Sequence, residues 1–150
     1  MSDTAPKSWY HDDQGKPITF KQTNANFRAT ITVTHEQFQN LIDCASRGCK
    51  TWADELKINK FGFRVREVRG HGKDEYTYHW CSITPRKLAA IIARVSGGES
   101  FEHLNSSSAA KIRDLWLNPP LGVDHLNRYI DDDMANNLVQ LVCFGKLVYD

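Results

Sequence analysis

The segment Phe61–Pro85, FGFRVREVRGHGKDEYTYHWCSITP, holds the two kinds of side chain best suited to gripping a flat, charged ligand. Arg64, Arg66 and Arg69 offer planar guanidinium forks that match phosphate or carboxylate oxygens. Tyr76, Tyr78 and Trp80 offer ring faces on which a base or a peptide can stack. Between them, Gly70-His71-Gly72-Lys73 places His71 and Lys73 in a glycine-marked turn, where backbone amides and a cation can meet an anion. This turn lacks the glycine spacing of a P-loop and the helix that should follow one. The competing reading is that the Tyr/Trp face is the core face of a sheet, because large aromatics are usually buried. Alternation alone does not say which face is covered.

Other chemistries find less support. There are six histidines but no Cys-x-x-Cys, His-Glu-x-x-His or EF-hand pattern. His79 and Cys81 share a strand face and could be two ligands, or could pack beside Ile83. Cys44 and Cys49 straddle a helix end at a spacing that suits no metal, and a thiol just past that end feels the wrong dipole pole for ionisation. There is no Gly-x-Ser-x-Gly motif. Ser106-Ser107-Ser108 reads as capping residues. Asp124-His125 is a common pair that only geometry could turn into a dyad. Asp131-Asp132-Asp133 at a helix start satisfies open amides without needing a metal. No catalytic residue, metal or cofactor is assigned, and the reading favours a binding protein over an enzyme.

These residues must be positioned by strands and helices that the pattern also marks. Phe27, Ala29, Ile31 and Val33 alternate with polar residues, as in a half-buried strand. Thr34-x-x-Gln37 is a capping box, followed by Phe38, Leu41, Ile42 and Ala45 at helical spacing, with Gly48 as the stop. Trp52–Leu56 reads as one more helical turn. The hairpin comes next, with Phe61, Phe63 and Val65 on one face and Arg64 and Arg66 on the other. Val68 breaks that phase and suggests a bulge near Arg66-Glu67. Thr84-Pro85 starts a helix with a buried stripe of Leu88, Ile91, Ile92 and Val95. Further helices are expected from about Ser107 to Leu117, stopped by Pro119-Pro120, and from the aspartates to about Cys143, closed by Gly145. Lys146–Tyr149 is expected to add a short strand.

The expected class is α+β, a small antiparallel sheet of the central hairpin plus the N-terminal strand, packed against about four helices. Residues 1–26 read as a loosely held arm and 27–150 as a single domain.

Composition sets the remaining bounds. The chain has 150 residues, 41% hydrophobic and 25% charged, which suits one folded domain. It has no long apolar run and no signal-like start, so the cytoplasm is the expected compartment and no membrane contact is expected. The four cysteines are scattered and read as free thiols. A net charge of +1 gives no bulk case for nucleic acid. The charge is uneven, however: Lys57, Lys60, Arg64, Arg66, Arg69 and Lys73 face Glu67 alone over residues 57–73, while residues 99–150 are acidic.

Three fragments resemble a family of small, mostly uncharacterised proteins encoded by bacteriophages and prophages. Ala45-Ser46-Arg47-Gly48-Cys49-Lys50-Thr51-Trp52 stands where that family carries Ala-x-Gly-Gly-x-x-Tyr-Trp. Ile83-Thr84-Pro85 is followed by Leu88 and Ile91. Gln140–Tyr149 is similar to Gln-x-x-x-Phe-Gly-x-x-Val-Tyr-Gly. Arg47, Thr51, Asn136 and Asp150 depart from the pattern. Their order and approximate spacing cover residues 27–150, and the resemblance implies a fold and a phage setting, without catalytic residues.

The resulting expectation is a phage accessory protein in the host cytoplasm that binds a host protein or a small signalling nucleotide, in a counter-defence role. A nucleic-acid-binding module and a small His/Asp enzyme are the alternatives. A homo-oligomer is compatible with an exposed hairpin edge.

Overall fold

The computed structural model describes residues 19–24, 27–117 and 130–149. Its strands are β1 (Thr19–Asn24), β2 (Phe27–Thr32), β3 (Ala53–Asn59), β4 (Gly62–Gly70) and β5 (Tyr76–Ile83). Its helices are α1 (His35–Gly48), α2 (Pro85–Ser96), α3 (Ser106–Trp116) and α4 (Asp132–Phe144). The α+β class, with antiparallel strands and four helices among the described residues, is as expected. β2 does not join the central hairpin. It pairs with β1 in a two-stranded sheet, while β3, β4 and β5 form a three-stranded antiparallel meander. The range expected to be an arm therefore contributes β1, and residues 1–18 lie outside the described residues.

The helix starts follow their caps. Thr34 Oγ1 accepts from the Gln37 amide at 3.1 Å, and Gln37 Oε1 accepts from the Thr34 amide at 3.0 Å. Thr84 Oγ1 accepts from the Lys87 amide at 3.1 Å, with Pro85 as the first helical residue. Asn105, one residue before the serines, caps α3 by accepting from Ser108. Asp131 caps α4 by accepting from Met134, and Asp132 pairs with Arg47, so both aspartates have structural partners. Pro119-Pro120 and Asp124-His125 lie outside the described residues.

The core joins the helices to one face of the three-stranded sheet. Phe38, Leu41, Leu88, Ile92, Ile112, Leu138 and Leu141 are buried with Phe63, Val65 and Ile83. The Phe38 and Phe63 rings meet at 5.7 Å. α1 runs against α4 at a point where Gly48 is required: a Cβ there would sit 2.2 Å from the Asp132 carbonyl oxygen. Gly48 thus serves close approach, not left-handed capping, since Cys49 caps α1 with φ −95°. Gly145, at φ 71°, does end α4 in the left-handed region.

Four local expectations are corrected. Trp52–Leu56 is not a helical turn: residues 53–59 are β3, and cross-strand pairing with β4 overrides the helix-tolerant Ala-Asp-Glu-Leu sequence. The bulge lies in β3, between Ala53 and Glu55, and β4 keeps its alternation through a buried Glu67. Phe61 belongs to the β3–β4 turn and is 66% exposed, off the core face. Residues 146–149 are not a strand, because the Gln140 side chain takes the place of a neighbouring strand. Its Oε1 accepts from the Val148 and Tyr149 amides at 2.8 Å each, and its Nε2 donates to the Tyr149 carbonyl at 2.9 Å.

The thiols are also corrected. Cys81 of β5 and Cys143 of α4 form a disulfide, leaving Cys44 and Cys49 as the free, buried pair. Sequence spacing could not show this, because the partners are 62 residues apart and meet only through the packing of α4 beside β5.

Candidate functional site

The three-stranded sheet has one covered face and one open face. Along β4, Phe63, Val65 and Glu67 point inward, so Arg64, Arg66 and Val68 point outward. Register pairs Arg66 with Trp80, and Val68 with Tyr78. Tyr76, Tyr78 and Trp80 therefore join the arginines on the outer face, with exposures of 57%, 52% and 39%. The reading of these aromatics as core does not hold.

On this face the cations and rings alternate. The Arg66 guanidinium lies 4.4 Å from the Tyr78 centroid and 5.7 Å from that of Trp80. Arg64 lies 4.4 Å from the Trp80 centroid, and Lys57 Nζ from β3 adds a contact at 5.3 Å. The order Tyr78, Arg66, Trp80, Arg64 is a ladder held by attraction of each cation to the ring quadrupole. Tyr76 extends the row, its ring beside Gly70.

The two ladder arginines differ electrostatically. Asp54 takes Arg66 in a two-point clasp, with Nε at 2.8 Å and a terminal nitrogen at 2.5 Å, and Glu55 lies 3.2 Å from Arg66. The bulge in β3 brings these neighbouring acids to the same guanidinium. The Arg66 hydrogen bond holds the Asp54 carboxyl below its usual range, and the same bond raises Arg66. Arg64 has no carboxylate partner among the described residues. It is the ladder cation available to an incoming anion.

The remaining candidates sit elsewhere. Arg69 is on the opposite face, 2.9 Å from the buried Glu67 carboxylate. Glu67 also accepts from the Tyr149 hydroxyl at 2.5 Å. Arg69 is thus occupied in a structural network. His71 and Lys73 lie in the β4–β5 turn, which is longer than the Gly-His-Gly expected: it runs over residues 71–75, with Asp74 at φ 61°. His71 Nε2 is 2.6 Å from Thr77 Oγ1. Among the eight candidates the fold brings together Arg64, Arg66, Tyr76, Tyr78 and Trp80, while Arg69 lies on the opposite face and His71 and Lys73 lie in the β4–β5 turn.

A shallow cavity of about 420 Å³ adjoins the aromatic row. It is lined by Tyr76, Tyr78, Val68 and Asp54 on the sheet and by Lys50 and Thr51 from the α1–β3 connection. Sequence reasoning missed this connection, because it took residues 52–56 for a helical turn. Trp52 also lines it. The Trp52 ring stacks on Tyr149 and donates from Nε1 to Asn136 at 2.7 Å. Asn136 Oδ1 also accepts from Gln140, so a buried polar chain fixes Trp52 and the C-terminal segment together.

The cysteines offer no reactive centre. Burial pushes the Cys49 thiol up to about 12, and burial also raises Cys44. No cluster of metal-ligating side chains exists among the described residues, and among them no helix is long and apolar enough to cross a membrane. In comparisons with known proteins, no family model, no curated protein and no solved structure matches the chain.

Proposed function

We infer that this protein acts by binding, through the outer face of the β3–β4–β5 sheet, and that its ligand is a nucleotide. The observation that carries this reading is the exposed cation–ring ladder, ending in an Arg64 without a carboxylate partner among the described residues. A nucleobase supplies a flat ring for Tyr76, Tyr78 or Trp80, and its phosphate supplies the anion for Arg64. The phage-like fragments support an accessory role in which a host signalling nucleotide is sequestered within the cytoplasm.

Native mass spectrometry on protein purified from cells tests this directly. A mass excess lost on denaturation identifies the ligand. Titration with nucleoside monophosphates then measures the site: Arg64→Glu and Trp80→Ala should each weaken binding at least tenfold while circular dichroism stays unchanged. Undiminished binding in both variants rejects the surface.

A strand of nucleic acid is the second reading, favoured by three aromatics at alternate positions of one strand. It predicts affinity that falls steeply with salt.

A further inference from the structure

The three-stranded sheet has two edges, and they are built differently. β3 carries Asp54, Glu55 and Lys57, and a bulge at Asp54. Charges and bulges are the devices that keep a sheet edge from pairing with another chain. β5 has neither. Its sequence, YTYHWCSI, contains no Lys, Arg, Asp, Glu, Pro or Gly, and its aromatic and β-branched residues favour extended pairing. Tyr76 to Trp80 are exposed at every position, so both faces of this stretch are open. Among the described residues, no backbone group outside β4 bonds to them. The far end of β5 is closed, because Cys81 is bonded to Cys143 of α4. The open edge is thus centred on Tyr78.

We propose that a second copy of this chain covers this edge, with β5 pairing antiparallel to β5 of the other copy about a two-fold axis at Tyr78. A two-fold contact sets each residue against its counterpart across the axis. Tyr76 then faces Trp80 of the second copy, Thr77 faces His79, and Tyr78 faces Tyr78. None of these pairs sets like-charged Lys, Arg, Asp or Glu side chains against each other, and aromatic pairs across strands are favourable. A charged partner strand would find no opposite charge along β5 itself, whereas a second uncharged β5 sets no charge against it. The two ladders become one continuous outer surface, with an arginine set at each side of a central aromatic row. The pairing does not depend on the identity of any ligand.

Sedimentation velocity on the full chain over a wide concentration range tests the pairing. The expected species has twice the 17.1 kDa chain mass. A monomer at every concentration overturns the proposal. Tyr78→Cys probes the register: opposed Cα atoms in an antiparallel pair lie about 4.5–5.5 Å apart, within disulfide reach. Mild oxidation should link most Tyr78→Cys chains into covalent dimers, and should not link Phe61→Cys, which is more exposed, on the β3–β4 turn. A dimer that Tyr78→Cys fails to link overturns the edge assignment. Thr77→Lys with His79→Lys sets lysines against lysines across the axis and should return the monomer. Thr77→Lys with His79→Glu should restore the dimer. Both positions are exposed, and circular dichroism checks the fold of each variant. A dimer that survives the double lysine variant also overturns the proposal.

Discussion

The ring of Trp52 lies nearly parallel to that of Tyr149, centroids 5.4 Å apart and 4° between planes. One residue ends the α1–β3 connection and the other nearly ends the chain. Phe144 meets both rings edge-on, at 5.5 and 6.1 Å. The segments Ala45–Trp52 and Gln140–Tyr149 are therefore the two sides of one packing unit. Removing the Trp52 ring should destabilise the fold by about 3–5 kcal/mol, the range for buried aromatics. Chemical denaturation of Trp52→Ala measures this, and a loss below about 1 kcal/mol would show that the stack contributes little.

Tyr149 also gives the fold a pH dependence. Burial, then the hydrogen bond to Glu67, raises the Tyr149 hydroxyl above its ordinary value. The folded state therefore favours the protonated phenol. That contribution is full below the unfolded value near 10 and is lost as pH rises through the higher folded value. Tyr149→Phe should cost about 1.5–3 kcal/mol at neutral pH, typical of a hydrogen bond to a charged group, and should flatten the alkaline limb of the stability curve. An unchanged limb in the variant would assign it to another group.

Gln140 replaces a strand for the last residues. Gln140→Ala leaves the Val148 and Tyr149 amides without their acceptor. Hydrogen exchange at both amides should accelerate strongly, with about 1–3 kcal/mol lost from global stability. Protection equal to that of the parent protein would mean the segment is held by ring packing alone.

Gly48 permits the close contact of α1 with α4. Gly48→Ala should cost more than about 1 kcal/mol, because the new methyl group meets the Asp132 backbone and not a movable side chain. A melting temperature equal to the parent's would show that the helices separate freely.

Thiol counting checks the cysteine assignment. Under native conditions neither Cys44 nor Cys49 should react readily with a thiol reagent, since both are buried and burial raises both thiols. Denaturation without reductant should expose two thiols, and denaturation with reductant all four. Four thiols without reductant would refute the Cys81–Cys143 bond. By loop-closure entropy that bond stabilises the fold by about 4 kcal/mol.

The helices were legible because their signals are local. Thr34 with Gln37, Thr84 with Pro85, and Asp131 each cap within one turn, and the apolar spacing behind them is unambiguous. β3 was hidden, because Ala-Asp-Glu-Leu carries no strand pattern and becomes a strand only by pairing with β4. The binding surface was half legible. Alternation put Tyr76, Tyr78 and Trp80 on one face, but burial had to show that this face is open, and register that Arg64 and Arg66 share it. Arg69 stands an odd number of residues from Arg66, which takes it through the sheet to Glu67, whose burial no local pattern signals.

The bond between Cys81 and Cys143 closes a ring of chain that includes α2, α3 and most of α4. A protease that cuts once inside this ring does not divide the molecule. The severed ends stay tethered through sulfur, and an intact mass on a non-reducing gel would conceal the nick. Reduction under denaturing conditions would then separate a C-terminal piece carrying Tyr149, the residue that stacks on Trp52.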